Sequence, residues 1–153
     1  ADIPGFGTLV LKYAVMDVNG TLTVDGELIK GVPEAFRRLQ EKLSLHLLTA
    51  DTLGKQSLID EVLNTTASIV QKGDEVSQKT AFVRGLGSSH VAAIGQGAND
   101  AGMLKEAGLG ICVLSREGTS LKTLVNADIV VPDILSALEI LENPLRLKAS
   151  LRK

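Results

Sequence analysis

Short apolar runs alternate with amphipathic stretches along the whole chain. The apolar runs lie at 9–18, 43–50, 66–71, 90–96, 109–114 and 127–132. Apolar residues recur at helical spacing in 33–42, 53–64, 77–86, 99–107, 117–126 and 133–142. Apolar strands separated by helices are typical of a mainly parallel sheet that is covered by helices on both faces. The pattern therefore predicts an α/β fold.

Polar residues that are suited to catalysis or ligand binding lie at the ends of three predicted strands. Asp17 lies at the end of the first strand, Thr49 and Asp51 at the end of the second, and the sequence GQGAND (95–100) at the end of the fourth. In sheets of this kind, ligands bind beyond the carboxyl ends of the strands. This edge of the sheet is therefore the predicted functional site.

Composition and charge exclude some classes of function for this protein. The chain has 153 residues, 44% of them hydrophobic, and no linker divides it, which predicts a single domain over 1–153 with a short basic tail at 144–153. A net charge of −2 without a long basic run argues against nucleic-acid and membrane-surface binding. One cysteine excludes a disulfide framework, and no signal peptide or membrane-length apolar run is visible. These features predict a cytoplasmic protein.

The stretch MDVNGTLTVDG (16–26) has two interpretations. Asn19-Gly20 and Asp25-Gly26 are dipeptides that favour tight turns between strands, so the stretch could be two hairpin turns. Alternatively, Asp17 is a nucleophile held against a phosphate group by the loop that follows it. The remaining motifs favour the second interpretation.

Four motifs in order resemble the haloacid dehalogenase superfamily of phosphatases and phosphotransferases. They are DVNGT (17–21), LLTAD (47–51), QKTAFVRGL (78–86) and AIGQGANDAGMLKEAGLGICV (93–113). The resemblance is nearest to the phosphorylation domain of P-type ATPases, here as a free-standing soluble relative. It implies a Rossmann-like three-layer sandwich with a central, mainly parallel sheet and no cap domain, and it predicts a short flap hairpin at 21–31.

The resemblance also assigns roles to individual residues. Asp17 is the expected nucleophile and would form an aspartyl-phosphate, while the backbone N–H groups of 18–21 (Val18, Asn19, Gly20 and Thr21) would surround the phosphate. Thr49 and the neighbouring Ala50 would also contact the phosphate. Lys79 would bring a positive charge, although Lys72 is a competing candidate because loop length alone does not decide between them.

Magnesium is the implied cofactor, because a hard dication neutralises phosphate and carboxylate charge together and prefers oxygen ligands. The expected ligands are the Asp17 carboxylate, the Asn19 carbonyl, Gln96 and Asp100. For Asn99 or Asp100, capping the helix that follows is an alternative role or an additional one.

Two positions depart from the superfamily pattern. Asn19 stands where most of its phosphatases have a second aspartate that acts as acid and base, and Gln96 replaces an aspartate that binds the metal. An amide cannot transfer that proton, and general acid–base help is commonly worth about a hundred- to ten-thousand-fold. These departures predict slow turnover and weakened metal binding.

The expected substrate is a small phosphorylated molecule. A capless sugar-phosphate phosphatase, of the type acting on 3-deoxy-octulosonate 8-phosphate, is one alternative, and a phosphate-binding regulatory module that has lost efficient turnover is another. Capless relatives often cover the site with a neighbouring subunit, so the resemblance also implies a homo-oligomer.

Overall fold

Six parallel strands form the central sheet of the protein. The computed structural model describes residues 2–50 and 54–153. In these ranges the strands are β1 (Asp2–Ile3), β2 (Gly7–Thr8), β3 (Tyr13–Asp17), β4 (Thr23–Val24), β5 (Glu27–Leu28), β6 (Ser44–Thr49), β7 (Ser68–Ile69), β8 (Val91–Gly95), β9 (Leu109–Val113) and β10 (Ile129–Val131). The helices are α1 (Val32–Gln40), α2 (Gln56–Leu63), α3 (Glu75–Leu86), α4 (Ala101–Glu106), α5 (Leu121–Val125), α6 (Ile134–Glu142) and α7 (Pro144–Leu151).

The strand order in the sheet is β10-β9-β8-β3-β6-β7, so β3 lies at the centre. Asp17 at the end of β3 is opposite Leu48 of β6, and Met16 is opposite Ile94 of β8. This register brings the carboxyl ends of β3, β6 and β8 to one edge of the sheet. The predicted α/β fold with a mainly parallel sheet is confirmed.

Side chains from β3 alternate between two separate hydrophobic cores. Ala14 and Met16 pack with residues of α1, α2, α6 and α7 on one face, whereas Val15 packs with residues of α3 and α4 on the other. This alternation follows from the two-residue period of a strand, which sends successive side chains to opposite faces. The result is the predicted three-layer sandwich.

The segment between Asp17 and Thr49 contains a small hairpin and one helix instead of a cap domain. Strands β4 and β5 pair antiparallel on either side of Asp25-Gly26, which both have positive φ (52° and 83°). A two-residue turn of this kind needs positive φ at both central positions. The predicted flap hairpin is therefore present, with its strands at 23–24 and 27–28.

Two features of the fold were not predicted. Strands β1 and β2 form a separate antiparallel pair near the amino-terminus, and short 3₁₀ helices at Ser88–His90 and Ala98–Asp100 flank β8. The predicted first strand, 9–18, is shortened to its second half. Asp51 and the first residue of the predicted helix 53–64 fall on 51–53, outside the described residues.

Candidate active site

Three charged side chains meet at the carboxyl edge of the sheet. The Lys79 ammonium lies 3.0 Å from Oδ1 of Asp17 and 2.8 Å from Oδ1 of Asp100. Their residues are almost entirely buried, with exposed fractions of 1% for Lys79, 6% for Asp17 and 0% for Asp100. Buried charges persist in proteins when they are paired and hydrogen-bonded, as these are. We call these three residues the charged triad.

The members of the charged triad come from three different elements. Asp17 ends β3, Lys79 lies on the second turn of α3, and Asp100 ends the 3₁₀ helix after β8. The second carboxylate oxygen of Asp100 accepts hydrogen bonds from the backbone N–H groups of Gln96 and Gly97, each at 3.1 Å. Although Asp100 directly precedes α4, its side chain makes no capping bond to that helix. Its carboxylate therefore holds the loop after β8 and Lys79.

Two carboxylates facing one ammonium leave the charged triad with a net negative charge. Burial raises the pKa of Asp17 to about 7, and the neighbouring Asp100 carboxylate adds to the increase, while Lys79 and Thr21 oppose it. Burial alone would lower the pKa of Lys79, but the two carboxylates outweigh it and raise that pKa above its ordinary value. Lys79 is therefore a permanent cation, whereas Asp17 lacks full charge compensation.

The loop after Asp17 folds tightly on itself. The carbonyl of Val18 accepts the N–H groups of Thr21, Leu22 and Thr23, and the Thr21 hydroxyl donates to Oδ2 of Asp17 at 3.2 Å. Of the four N–H groups expected to surround a phosphate, that of Thr21 is thus bonded within the loop. Those of Val18, Asn19 and Gly20 remain the candidate donors.

Two features of position 20 favour glycine. Its φ is +82°, and a Cβ built there would overlap with Nε2 at the end of the Gln96 side chain. The Gln96 side chain therefore packs directly on the loop, where its Nε2 donates to the Asn19 carbonyl at 3.3 Å. In turn, the Asn19 amide donates to the Thr49 hydroxyl at 3.5 Å. Two amide side chains thus bridge the three strand ends.

A polar pocket of about 260 Å³ opens onto these residues. Among the described residues, its lining is Asp17, Asn19, Ala50, Glu75, Lys79, Gln96 and Asn99. Five of the predicted site residues line this pocket, namely Asp17, Asn19, Ala50, Lys79 and Gln96. Asp100 and Thr49 are joined to it by their hydrogen bonds with Lys79 and Asn19. The alternative cation, Lys72, is exposed in the loop after β7.

Two residues of the pocket lining were not predicted to have a role there. Glu75 lies one helical turn before Lys79 on α3, and its Oε1 accepts a hydrogen bond of 3.4 Å from Asn99. The sequence signal for Glu75 was its spacing of four residues from Lys79, which places both side chains on one helix face. Asn99 was considered only as a helix cap.

The oxygen donors of the site fit a hard divalent cation. The Asp17 carboxylate, the Asn19 carbonyl and the Gln96 side chain lie together. When Asp17 is ionised, the triad has a net negative charge that a bound cation would neutralise. No group of three or more His, Cys, Asp or Glu that could hold a metal occurs within 2–50 and 54–153. Few charged ligands, several neutral oxygens and retained waters are typical of magnesium.

Comparison with known proteins identifies the family to which the chain belongs. Residues 34–123, more than half of the chain, match the family model for haloacid dehalogenase-like hydrolase. The chain belongs to this family. The matched region contains Thr49, Lys79, Gln96 and Asp100 but begins after Asp17, so the contact between Asp17 and Lys79 is what connects the first motif of this hydrolase to the others.

Relatives of the hydrolase were found by sequence and by structure. An uncharacterized protein of Methanocaldococcus jannaschii is 53% identical over 62 residues, which cover 40% of the chain and 67% of the relative. The 3-deoxy-D-manno-octulosonate 8-phosphate phosphatase of Moraxella catarrhalis, solved with magnesium, phosphate and the KDO molecule, has a TM-score of 0.70 at 20% identity, covering 93% of this chain and 94% of that one.

The cobalt-bound form of the deoxy-D-mannose-octulosonate 8-phosphate phosphatase of Haemophilus influenzae has a TM-score of 0.71 at 12% identity, covering 91% of this chain and 90% of that one. At these identities the likeness shows the fold shared with both phosphatases.

None of the helices in the described ranges has the length and apolar character needed to cross a bilayer.

Proposed function

We propose that this hydrolase is a magnesium-dependent phosphatase or phosphotransferase that works through Asp17. The observation that carries the proposal is the charged triad, in which a buried carboxylate at a strand end contacts a buried ammonium. Phosphoryl transfer needs an in-line nucleophile, nearby cations and fixed hydrogen-bond donors, because negative charge lies on the phosphoryl oxygens throughout. The pocket beside Asp17 supplies each of these from the chain's own residues.

In the first step, a carboxylate oxygen of Asp17 attacks phosphorus and the bond to the leaving-group oxygen breaks. The product is an aspartyl-phosphate. Lys79 compensates charge on the phosphoryl group, and the N–H groups of Val18, Asn19 and Gly20 together with the Thr49 hydroxyl are the proposed donors to its oxygens. In the second step, water attacks phosphorus, phosphate leaves and the carboxylate is restored.

Magnesium would be held by Asp17, the Asn19 carbonyl and the Gln96 side chain, with Asp100 as the second carboxylate. When bound, the ion would neutralise charge on the phosphoryl oxygens and on the triad. Both oxygens of Asp100 already accept hydrogen bonds, from Lys79 and from two backbone N–H groups. The expected affinity is therefore lower than for a site with an aspartate at position 96.

Turnover is expected to be slow. The side chain of Asn19 occupies the place of an acid–base group, and its amide donates to Thr49 instead of transferring a proton. Slow loss of phosphate from Asp17 is also what the resemblance to P-type ATPases implies, because those enzymes too lack the second aspartate.

The proposed substrates are small phosphorylated molecules, with sugar phosphates the favoured class. The support is the shared fold of the two octulosonate 8-phosphate phosphatases and the flap hairpin beside the site. The proposal includes a single domain over 1–153, a cytoplasmic location, a homo-oligomeric state and no nucleic-acid or membrane partner.

A second candidate function is a phosphate-binding regulatory module without efficient turnover. The observation that favours it is the pair of amides, because Gln96 donates to the Asn19 carbonyl and Asn19 donates to Thr49. Such contacts would retain a phosphate pocket while weakening both proton transfer and metal binding.

Hydrolysis of acetyl phosphate or 4-nitrophenyl phosphate with magnesium separates these functions. We expect a slow activity that Asp17→Asn abolishes and that Asn19→Asp increases, because an aspartate at position 19 adds an acid–base group to the site. Asp25→Asn, a substitution of the same type at the exposed hairpin turn, serves as the control. An inert wild-type protein that still binds phosphate would favour the module, and activity unchanged by Asp17→Asn would refute the enzyme.

A further inference from the structure

Glu75 is a carboxylate on the wall of the active-site pocket that the proposed chemistry does not use. It belongs to the first turn of α3, where it is half-buried, and it shares the helix face of Lys79. Its carboxylate accepts a hydrogen bond from Asn99, which directly precedes Asp100 of the charged triad. Glu75 is therefore connected to the segment that carries Asp100.

Glu75 differs from the other charged residues of the pocket in having no counter-ion. Lys79 forms ion pairs with Asp17 and Asp100, whereas within 2–50 and 54–153 no ammonium or guanidinium lies within 4.0 Å of the Glu75 carboxylate. The Glu75 side chain therefore has the position needed for proton exchange with a molecule bound in the pocket, since it lines the pocket and no fixed cation covers it.

The other lining residues cannot perform that exchange readily. Asn19, Gln96 and Asn99 are amides, Asp17 is the proposed nucleophile, and the Lys79 ammonium is held by the carboxylates of Asp17 and Asp100. Among the described lining residues of the pocket, Glu75 is therefore the remaining group suited to proton transfer.

We propose that Glu75 is the general acid and base of this hydrolase and replaces the acid–base function that Asn19 cannot provide. This inference rests on the proposed function. In the first step, the carboxylic acid of Glu75 gives its proton to the leaving-group oxygen as the phosphorus–oxygen bond breaks and the bond to Asp17 forms. In the second step, the Glu75 carboxylate takes a proton from water as the water oxygen bonds to phosphorus and the bond to Asp17 breaks.

The acid role has a kinetic signature in the leaving group. A nitrophenolate leaves without a proton, whereas an unsubstituted phenolate, with a conjugate acid of pKa about 10, depends on one. Values of kcat/KM report steps up to the first irreversible one, so they isolate formation of the aspartyl-phosphate. Substituted phenyl phosphates of similar shape therefore measure the acid step alone.

The experiment compares wild type, Glu75→Gln and Glu75→Asp with phenyl phosphate and 2,4-dinitrophenyl phosphate. We expect Glu75→Gln to lower kcat/KM for phenyl phosphate about a hundred- to ten-thousand-fold and for the dinitrophenyl ester less than about tenfold. With the dinitrophenyl ester, a burst of one dinitrophenolate per chain should appear, because release of phosphate from Asp17 is slowed. Glu75→Asp should recover part of the loss.

Glu34→Gln is the matched control, because it removes an exposed carboxylate from the first turn of α1. It should change neither ester's kinetics. Equal losses on both esters in Glu75→Gln, or no loss, would overturn the proposal, as would the same signature in Asp51→Asn in place of Glu75→Gln. Activity that survives Asp17→Asn would instead refute the proposed function itself.

Discussion

The carboxyl group of Asp17 is buried at an energetic cost. Its carboxylate is buried beside a second carboxylate, and one ammonium serves both. The raised pKa means that the folded protein binds a proton that the unfolded chain, with an ordinary aspartate, has released. The metal-free protein therefore loses stability as pH rises from about 4 through about 7.

Asp17→Asn should remove this pH dependence. Lys79 stays charged throughout and contributes no slope, so the free energy of unfolding of wild type should fall relative to the variant between pH 5 and pH 8. The limit is about 1.4 kcal/mol per pH unit for one proton. Urea denaturation in EDTA at both pH values measures the difference. A constant difference would show that Asp17 is ionised over the whole range.

Gln96→Asp should strengthen magnesium binding. The substitution places a carboxylate where an amide now contacts the Asn19 carbonyl, and a carboxylate adds a full charge to the attraction. We expect at least about a tenfold lower dissociation constant, measured by calorimetric titration of the protein with magnesium. Asn143→Asp makes the same change of charge at an exposed site and should leave the affinity unchanged. Equal affinity in Gln96→Asp and wild type would remove position 96 from the metal site.

At the scale of elements, the loop after β3 depends on its contact with the loop after β8. Gly20 provides both the positive φ and the space for Gln96. The hairpin is attached to the loop after β9 by a hydrogen bond from Asp25 N–H to Glu117, and the Ser115 hydroxyl donates to the Gly20 carbonyl. The loop after β3 is thus held from two sides.

Gly20→Ala should therefore cost more than a strained backbone alone. Left-handed φ costs a non-glycine residue about 1–2 kcal/mol, and the added Cβ must also displace the Gln96 side chain. Gly73→Ala is the control, because Gly73 also has positive φ (108°) but has no atom within 4 Å of the added Cβ. Urea denaturation should show the larger loss for Gly20→Ala, and magnesium affinity should fall only there. Equal losses would mean that Gln96 moves away freely.

At the scale of the whole molecule, the charged triad joins segments that are 62 and 21 residues apart in the chain. Breaking a buried ion pair by removing one partner commonly costs about 3–5 kcal/mol, because an uncompensated charge remains. Lys79→Met should have a cost of this size, and adding Asp17→Asn should restore part of it. Lys72→Met, at an exposed position, should change stability by less than about 0.5 kcal/mol.

Thermal or urea unfolding of the four proteins tests this coupling. If Lys79→Met and Lys72→Met were equally mild, the triad would contribute little to stability, and if Asp17→Asn restored nothing, the two positions would be energetically independent.

Much of the fold was predictable because buried parallel strands are continuous apolar runs. All six central strands were predicted, as was the hairpin at Asp25-Gly26. Strands β1 and β2 were missed because two residues carry no periodicity. The order of strands within the sheet, with β3 between β6 and β8, depends on contacts distant in sequence.

The candidate site likewise contains residues that could be predicted from the sequence and residues that could not. Asp17, Thr49 and Asp100 could be selected because each lies at a predicted strand end or helix start. The choice between Lys79 and Lys72 required the direction in which α3 packs, since loop length does not determine it. Glu75 was missed because an acid in the first turn of a helix is common and usually has no function beyond that helix.

The separation of the three charged residues along the chain has a consequence for partly folded forms. A fragment or intermediate that has not yet joined β3, α3 and the turn after β8 has no assembled cluster. We therefore expect the protein to bind an anionic transition-state mimic only after the last of these segments has docked. Binding of such a mimic would thus report that folding is complete.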